Sequence, residues 1–377
     1  MKHLDEYRDG GLARGLAARI HSEAKPGRAY AFMEFCGGHT HAVSRYGVQD
    51  ILPENIRLIH GPGCPVCVLP IGRIDQAIEL AKNPEITLCV YGDLMRVPGS
   101  NGASLTKAKA GGADIRMIYS TLDAISVAER EPQREIVFFA IGFETTTPPT
   151  AMAIRLAQKK RLRNFSVFCN HVLTPAAMRQ ILETSDPQSL PLDGFIGPAH
   201  VSTIIGTAPY DAFAGEFRKP IVIAGFEPLD VVQAILMLVR QVNDGRAEAE
   251  NEYIRAVTPD GNRIAQAEIA DIFELRESFE WRGLGEIPKS ALRLREAYRD
   301  YDAERRFSME RRVARDNPAC ECGAILRGVK QPRDCKLFGT ACTPETPMGA
   351  CMVSSEGSCA AYWAYGRFRA SQRRAAE

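Results

Sequence analysis

The stretch "EIVFFAIGFETTTPPTAMAIRLAQKKRL", Glu135–Leu162, carries one complete structural unit. Glu135–Phe143 is an apolar run rich in Val, Ile and Phe, with the length and composition of a buried strand. Gly142 and a Thr/Pro cluster then punctuate the chain. From Pro148 onward apolar residues recur at helical spacing, with Lys and Arg between them. A strand, a Gly/Pro-rich turn and an amphipathic helix in that order are the repeating part of a parallel β-α-β layer.

The same order recurs on both sides. Apolar runs at Ala29–Phe35, Ile56–His60, Ile86–Gly92, Asp114–Ser120, Asn164–Asn170, Leu192–Gly197 and Pro220–Phe226 predict seven more strands. Stretches such as "IGRIDQAIELAKN", "TLDAISVAERE" and "PLDVVQAILMLVRQVND" predict helices between them. The polar "EREPQRE", Glu129–Glu135, reads as a break between two four-strand units. The expected fold class is α/β: two similar parallel-sheet domains around a cleft, residues 1–128 and 129–244. A third, mainly helical and irregular domain follows at residues 245–377, charged and helical to about Arg315 and cysteine-rich beyond. Ligands of open α/β sheets lie beyond the carboxyl ends of the strands. Cys36, His60–Cys67, Gly142–Thr150, Cys169–Pro175, Gly197–Thr203 and Gly225–Asp230 all follow strands, so one interdomain cleft is expected to collect them.

A chain of 377 residues accommodates two or three domains and buries ample core without covalent staples. A net charge of +1 with no basic stripe weighs against nucleic acid as a partner. The Arg-rich tail, Arg367–Arg374, reads as a solvated face of a C-terminal helix. The polar "MKHLDEYRDGG" has no signal-peptide apolar region, and "IVFFAIGF" and "VVQAILMLV" are too short to span a bilayer. The expected location is the cytoplasm, with no membrane partner. Thiols stay reduced there, so the eleven cysteines read as metal ligands or redox groups.

Six of those cysteines fall between Cys320 and Cys359. Cys320, Cys335, Cys342 and Cys359 have the spacing C-x14-C-x6-C-x16-C, with Cys322 an alternative first member and Cys351 the sixth. Four thiolates without histidine suit a structural zinc or a [4Fe-4S] cluster, and the lack of paired C-x2-C knuckles favours iron–sulfur. Cys64 and Cys67 form a C-x2-C with Pro65 inside. That pattern suits a dithiol redox pair, or half of a zinc site completed by His60 or Cys36. Cys36 stands alone before Gly37 and Gly38, which permit close backbone approach of a ligand or partner. One soft ligand with open positions suits labile iron or copper, or a nucleophile; a small residue packed at a turn is the plain alternative. His39 and His41 offer metal ligands, acid/base groups or helix caps. "GFETTTP" offers hydroxyls and a carboxylate for helix capping or for an anion. It lacks the Lys of a phosphate loop, and no G-x-G-x-x-G follows a strand. His171 and His200 read as satisfied buried histidines.

The motifs "FMEFCGGHTHAVSRYG", "HGPGCPVCVLP", "GDLMRVPGS", "IGFETTTPPTA", "GFIGPAHVSTIIG", "AGFEPLD" and "CKLFGTACTPETPMGACMVSSEGSCAAYW" together resemble the HypD family of hydrogenase maturation factors, over residues 25–366. The resemblance implies a scaffold on which the Fe(CN)2CO group of [NiFe]-hydrogenases is assembled. It implies a HypC-type chaperone and a HypE-type cyanide donor as partners, with the hydrogenase large subunit served indirectly. It further implies two α/β domains and a third carrying a [4Fe-4S] cluster, for which the family's spacing favours Cys320 over Cys322. Cys36 would hold the iron together with a HypC cysteine, and Cys64 and Cys67 would form a thiol redox couple. His39 and His41 would then hydrogen-bond cyanide or shuttle protons near the iron. The cluster neighbourhood is similar to that of ferredoxin–thioredoxin reductase, so a cluster-dependent protein disulfide reductase is the rival reading. A structural zinc protein is a third.

Overall fold

The computed structural model describes residues 5–184, 191–310 and 312–366; the Arg367–Arg374 tail lies outside them. All eight expected strands form: β1 Tyr30–Glu34, β2 Ile56–His60, β3 Ile86–Val90, β4 Ile115–Met117, β5 Glu135–Gly142, β6 Phe165–His171, β7 Gly194–Pro198 and β8 Ile221–Ala224. A ninth, β9 Ala249–Asn251, follows. Helices alternate with them, started by the expected chemistry. Ser120 and Asp123 make a capping box on the helix Thr121–Arg130, and prolines occupy the first turn of the helix Thr147–Lys159.

The strands divide into two parallel sheets, but not at the expected boundary. One sheet has the order β2-β1-β7-β8-β9 and the other β4-β3-β5-β6. β3 lies beside β5 in register from Ile86↔Glu135 to Cys89↔Phe138, so a cut at 128/129 would run through a sheet. The second sheet is one continuous insertion between β2 and β7. The charges of "EREPQRE" misled the reading because they are not a solvated linker. Glu131 and Arg134 join Arg116 and Asp114 in an ion-pair cluster that ties the turn before β5 to β4.

Residues 245–315 also differ from the helical expectation. They contain the helix Arg263–Ile272, β9 on the edge of the first sheet, and two short antiparallel pairs. β10 Phe273–Leu275 pairs with β13 Leu292–Leu294, and β11 Ser278–Trp281 with β12 Gly285–Pro288. These strands of three or four residues alternate buried with exposed positions, a period too short-lived to stand out among charges. The cysteine-rich remainder is loops and single helical turns, as read. Its buried residues Cys322, Ile325, Leu326, Cys342, Ala350–Val353 and Cys359 join one continuous apolar core with both sheets.

A half-buried ion triad clamps the C-terminal part to the second sheet. Arg73, on the helix Ile71–Ala81, and Arg276, beside β10, both donate to Glu304 and to the carbonyl of Cys169 in β6. Arg73 also lies 4.1 Å above the Phe168 ring. Burial alone would raise the Glu304 carboxyl, yet the two guanidinium groups hold it at about 2 instead of 4.5. Glu304→Gln leaves two half-buried guanidinium groups without their counterion and is expected to cost about 3–5 kcal/mol in a urea titration at pH 7. A folded carboxyl that titrates below its unfolded value contributes stability that is lost as pH falls. The wild-type protein should therefore lose stability between pH 4.5 and about 2, and the variant should lack that limb.

Candidate functional site

Cys36 follows β1 directly and precedes the helix Gly37–Tyr46. Its position is set by Glu34, a fully buried carboxylate at the end of the strand. Glu34 accepts the Cys36 backbone N–H (2.9 Å), the Thr40 hydroxyl and His60 Nδ1 (2.8 Å). His60, weighed as a zinc ligand, is oriented by Glu34 through one of its two ring nitrogens. The glycines after Cys36 are close-packed. A Cβ on Gly37 would fall 2.4 Å from Cβ of Glu356, and one on Gly38 would fall 2.6 Å from the Phe226 ring. The close approach expected of an outside partner is made by this chain's own side chains.

The Cys36 thiol is 6% exposed. Burial pushes it up to about 12, and the carboxylates of Glu356 and Glu34 add to the effect. Its sulfur lies 3.9 Å from His200 Nδ1, and the backbone N–H groups of Gly38 and His200 also bear on it. His200 follows β7 and is the exposed member of a stacked row: its ring lies 4.1 Å from Phe226, which lies 5.1 Å from His39. Sequence reasoning passed over His200 as a satisfied buried histidine; only its position after a strand signalled otherwise. His39 is fully buried, its Nε2 bridging the carbonyls of Ala224 (2.9 Å) and Gly225 (3.0 Å). Burial lowers its pKa, so the ring is neutral, with Nδ1 unbonded. His41 points elsewhere, its Nε2 3.1 Å from the Tyr365 hydroxyl. The helix separates the two histidines, as the i, i+2 spacing dictates.

Cys64 and Cys67 are joined as a disulfide across the helix Pro65–Val68, their Cα atoms 5.2 Å apart. This loop sits against the Cys36 backbone: Gly37 N–H donates to the Gly63 carbonyl (3.1 Å). On the other side Cys67 Sγ lies 4.0 Å from the Ala350 carbonyl. Ala350 precedes Cys351, a fully buried thiol outside the C-x14-C-x6-C-x16-C spacing. Cys320, Cys322, Cys342, Cys351 and Cys359 converge there. A Cβ on Gly349 would fall 2.5 Å from the sulfurs of both Cys320 and Cys322. Hydrogen bonding to Cys322, then burial, pushes Cys320 and Cys359 upward, and Cys351 and Cys342 act on Cys359 as well. Met348 N–H donates to Cys342 Sγ (3.3 Å). Cys335 is half-buried in the same loop, its carbonyl accepting Phe338 N–H (3.0 Å). As bare thiols, no three of the described His, Cys, Asp or Glu side chains form a ready-made metal cage.

The second sheet contributes the loop after β5. Its threonine hydroxyls cap no N–H. Thr146 donates to the carbonyls of Ile141 (3.2 Å) and Phe143 (3.1 Å), and Thr147 donates to Phe143 (3.1 Å). Glu144 is buried and accepts the N–H and hydroxyl of Thr174 (3.0 and 3.1 Å); burial raises its carboxyl to about 7. Glu144 and Cys36 both bear on the buried Tyr210 phenol, which burial pushes upward first. Asp93, after β3, likewise bears on Glu356. His171, the last residue of β6, is buried with Nε2 2.9 Å from the Thr150 hydroxyl.

The family model for HypD, described as "Hydrogenase formation hypA family", matches residues 11–366. The chain is 72% identical over 376 residues to a hydrogenase maturation factor HypD of Rhizobium leguminosarum, covering 99% of this chain and 98% of that one. It is 65% identical over 372 residues to that of Cupriavidus necator, covering 98% of each. To the Escherichia coli protein of the same name it is 45% identical over 370 residues, covering 97% and 98%. Among the described residues, no helix is long and apolar enough to cross a membrane.

Buried and raised to about 12, Cys36 should alkylate with iodoacetamide at pH 8 on the order of 50-fold more slowly in the folded protein than in urea. Peptide mapping of the alkylated chain reads this directly. Comparable rates in the two states would contradict the thiol environment described.

Proposed function

Because the chain belongs to the HypD family of hydrogenase maturation factors, we propose that it is the scaffold on which the Fe(CN)2CO group of a [NiFe]-hydrogenase is assembled, with Cys36 as its thiolate for the iron. The observation that carries this is the setting of Cys36. One thiol stands where the loops after β1, β2, β7 and β8 meet, with a dithiol loop hydrogen-bonded to its backbone. Low-spin iron carrying cyanide and carbonyl takes soft thiolate ligands. A single thiolate leaves positions for a HypC-type chaperone's cysteine and for the diatomic ligands, and permits release. A HypE-type partner supplies the cyanide, and the hydrogenase large subunit receives the group indirectly. The setting proposed is the cytoplasm, with neither nucleic acid nor membrane as a partner.

Cys36 must lose its proton to bind iron, and at about 12 it does so only when the cation arrives. The proton passes from Cys36 Sγ to His200 Nδ1, 3.9 Å away. His39, kept neutral by burial and oriented by two backbone carbonyls, keeps Phe226 and hence His200 in place. His41 reaches Tyr365 and serves the outer side of the same helix. Cys64 and Cys67 form a two-electron dithiol couple behind Cys36.

Cys320, Cys335, Cys342 and Cys359 would hold a [4Fe-4S] cluster, with Cys322 the alternative to Cys320. Cys320, Cys342 and Cys359 fit such a group in kind, crowded with Cys322 and Cys351 so that neighbours raise the cost of ionising Cys320 and Cys359, and Cys335 stands half-buried in the same loop. Bound iron relieves that cost. When bound, the cluster supplies single electrons.

Infrared spectroscopy of protein purified anaerobically with its partners tests the assignment. Wild type should show cyanide and carbonyl stretches on iron. Cys36→Ala should lose them and hydrogenase maturation together, while keeping iron–sulfur absorbance. Normal maturation by that variant would sink the assignment. The contact of the disulfide with Ala350, beside Cys351, favours the disulfide-reductase reading as second; catalytic reduction of a generic disulfide with ferredoxin would move it to first.

A further inference from the structure

The β11–β12 hairpin wedges between the dithiol helix and the first cysteine helix, and its tip carries a buried arginine. Arg282 N–H donates to the carbonyl of Val68, the residue after Cys67 (2.8 Å). Gly283 lies so close to Gly323, the residue after Cys322, that a Cβ on it would fall 2.7 Å from the Gly323 Cα. The Arg282 side chain is 3% exposed. Its Nε donates to one oxygen of Asp316 (2.8 Å), and Nη2 lies 2.6 Å from the same oxygen as an ion pair. Nη1 is buried and has no partner. An unsatisfied buried N–H on a cation is costly, so the arrangement calls for an acceptor, and an anionic one by preference.

The side chain runs toward the cysteine segment, not the disulfide. Asp316 acts on Cys320, and Asn317 accepts the Cys320 N–H (2.8 Å). Of the other charges nearby, Glu321 pairs with Lys330 through Oε1 while its Oε2 is buried without a partner, and the exposed Arg327 donates to the Gly283 carbonyl. Four thiolates around iron and sulfide leave a net negative group, which a buried guanidinium suits.

We propose that Arg282 is the charged hydrogen-bond donor to the iron–sulfur group held by the Cys320–Cys359 segment, stabilising its reduced and more negative state. This rests on the reading that the segment holds a [4Fe-4S] cluster. The test is an EPR-monitored redox titration of the full-length protein, with iron and acid-labile sulfide assayed in each sample. Arg282→Gln should keep its iron and sulfide, yet its reduced-to-oxidised ratio at a fixed potential near the midpoint should fall about tenfold, or 59 mV for one electron. Arg282→Lys, which keeps the charge, should stay near wild type. An unchanged midpoint in Arg282→Gln with full iron content overturns the proposal. If that variant does not hold iron, Asp316→Asn decides: removing the opposing anion should raise the midpoint, and no shift overturns the proposal. Wild-type protein lacking iron and sulfide would overturn the underlying reading, and this inference with it.

Discussion

Glu34 is the group on which the geometry around Cys36 depends. It is the last residue of β1 and sits in register with His60, the last residue of β2. A carboxylate 1% exposed would be strongly disfavoured without donors, and it has three: the Cys36 N–H, the Thr40 hydroxyl and His60 Nδ1. One side chain therefore fixes the end of one strand, the first turn of a helix and the start of the dithiol loop. With those seated, the Gly63 carbonyl meets Gly37 N–H and places Cys64 and Cys67 behind Cys36. The same charge helps keep Cys36 a thiol. Fold and reactivity are set by one anchor.

The chain handles sulfur in three environments, and the differences are electrostatic. Cys36 is a single thiol surrounded by anions and one histidine. Cys64 and Cys67 share a four-residue turn whose short span lets them bond to each other. The C-terminal cysteines are crowded, each making its neighbour harder to ionise. Cys351 lies between the last two environments, next in the chain to the carbonyl that touches Cys67.

Strand existence was legible because a buried parallel strand is a continuous apolar run, and all eight runs became strands. Their partition into sheets was not, because β1 beside β7 is a contact between residues far apart in sequence, with no local signature. Charge was the least reliable guide: Glu131 and Arg134 read as linker and proved to be partners of β4. Around Cys36, the motif residues were visible as unusual letters. Their roles depended on neighbours from other strands. Glu34 looked like an ordinary end of strand, Phe226 like core, and Glu356 like one charge in a cysteine-rich loop. Only proximity to Gly37 and Gly38 revealed the last two.

The interleaved topology has a temporal side. The central edge of β1 waits for β7, which emerges from the ribosome after the entire second sheet has been made. At ordinary synthesis rates that interval is on the order of ten seconds. The second sheet, contiguous in sequence, is complete before its host. During the wait, β1 and β2 form a lone two-stranded ribbon with Phe32 and Met33 uncovered, and a ribbon of two strands is marginal in water. The nascent chain is thus most vulnerable to aggregation at its N-terminal sheet, and Cys36 begins to acquire its surroundings only when β7 and the following His200 arrive.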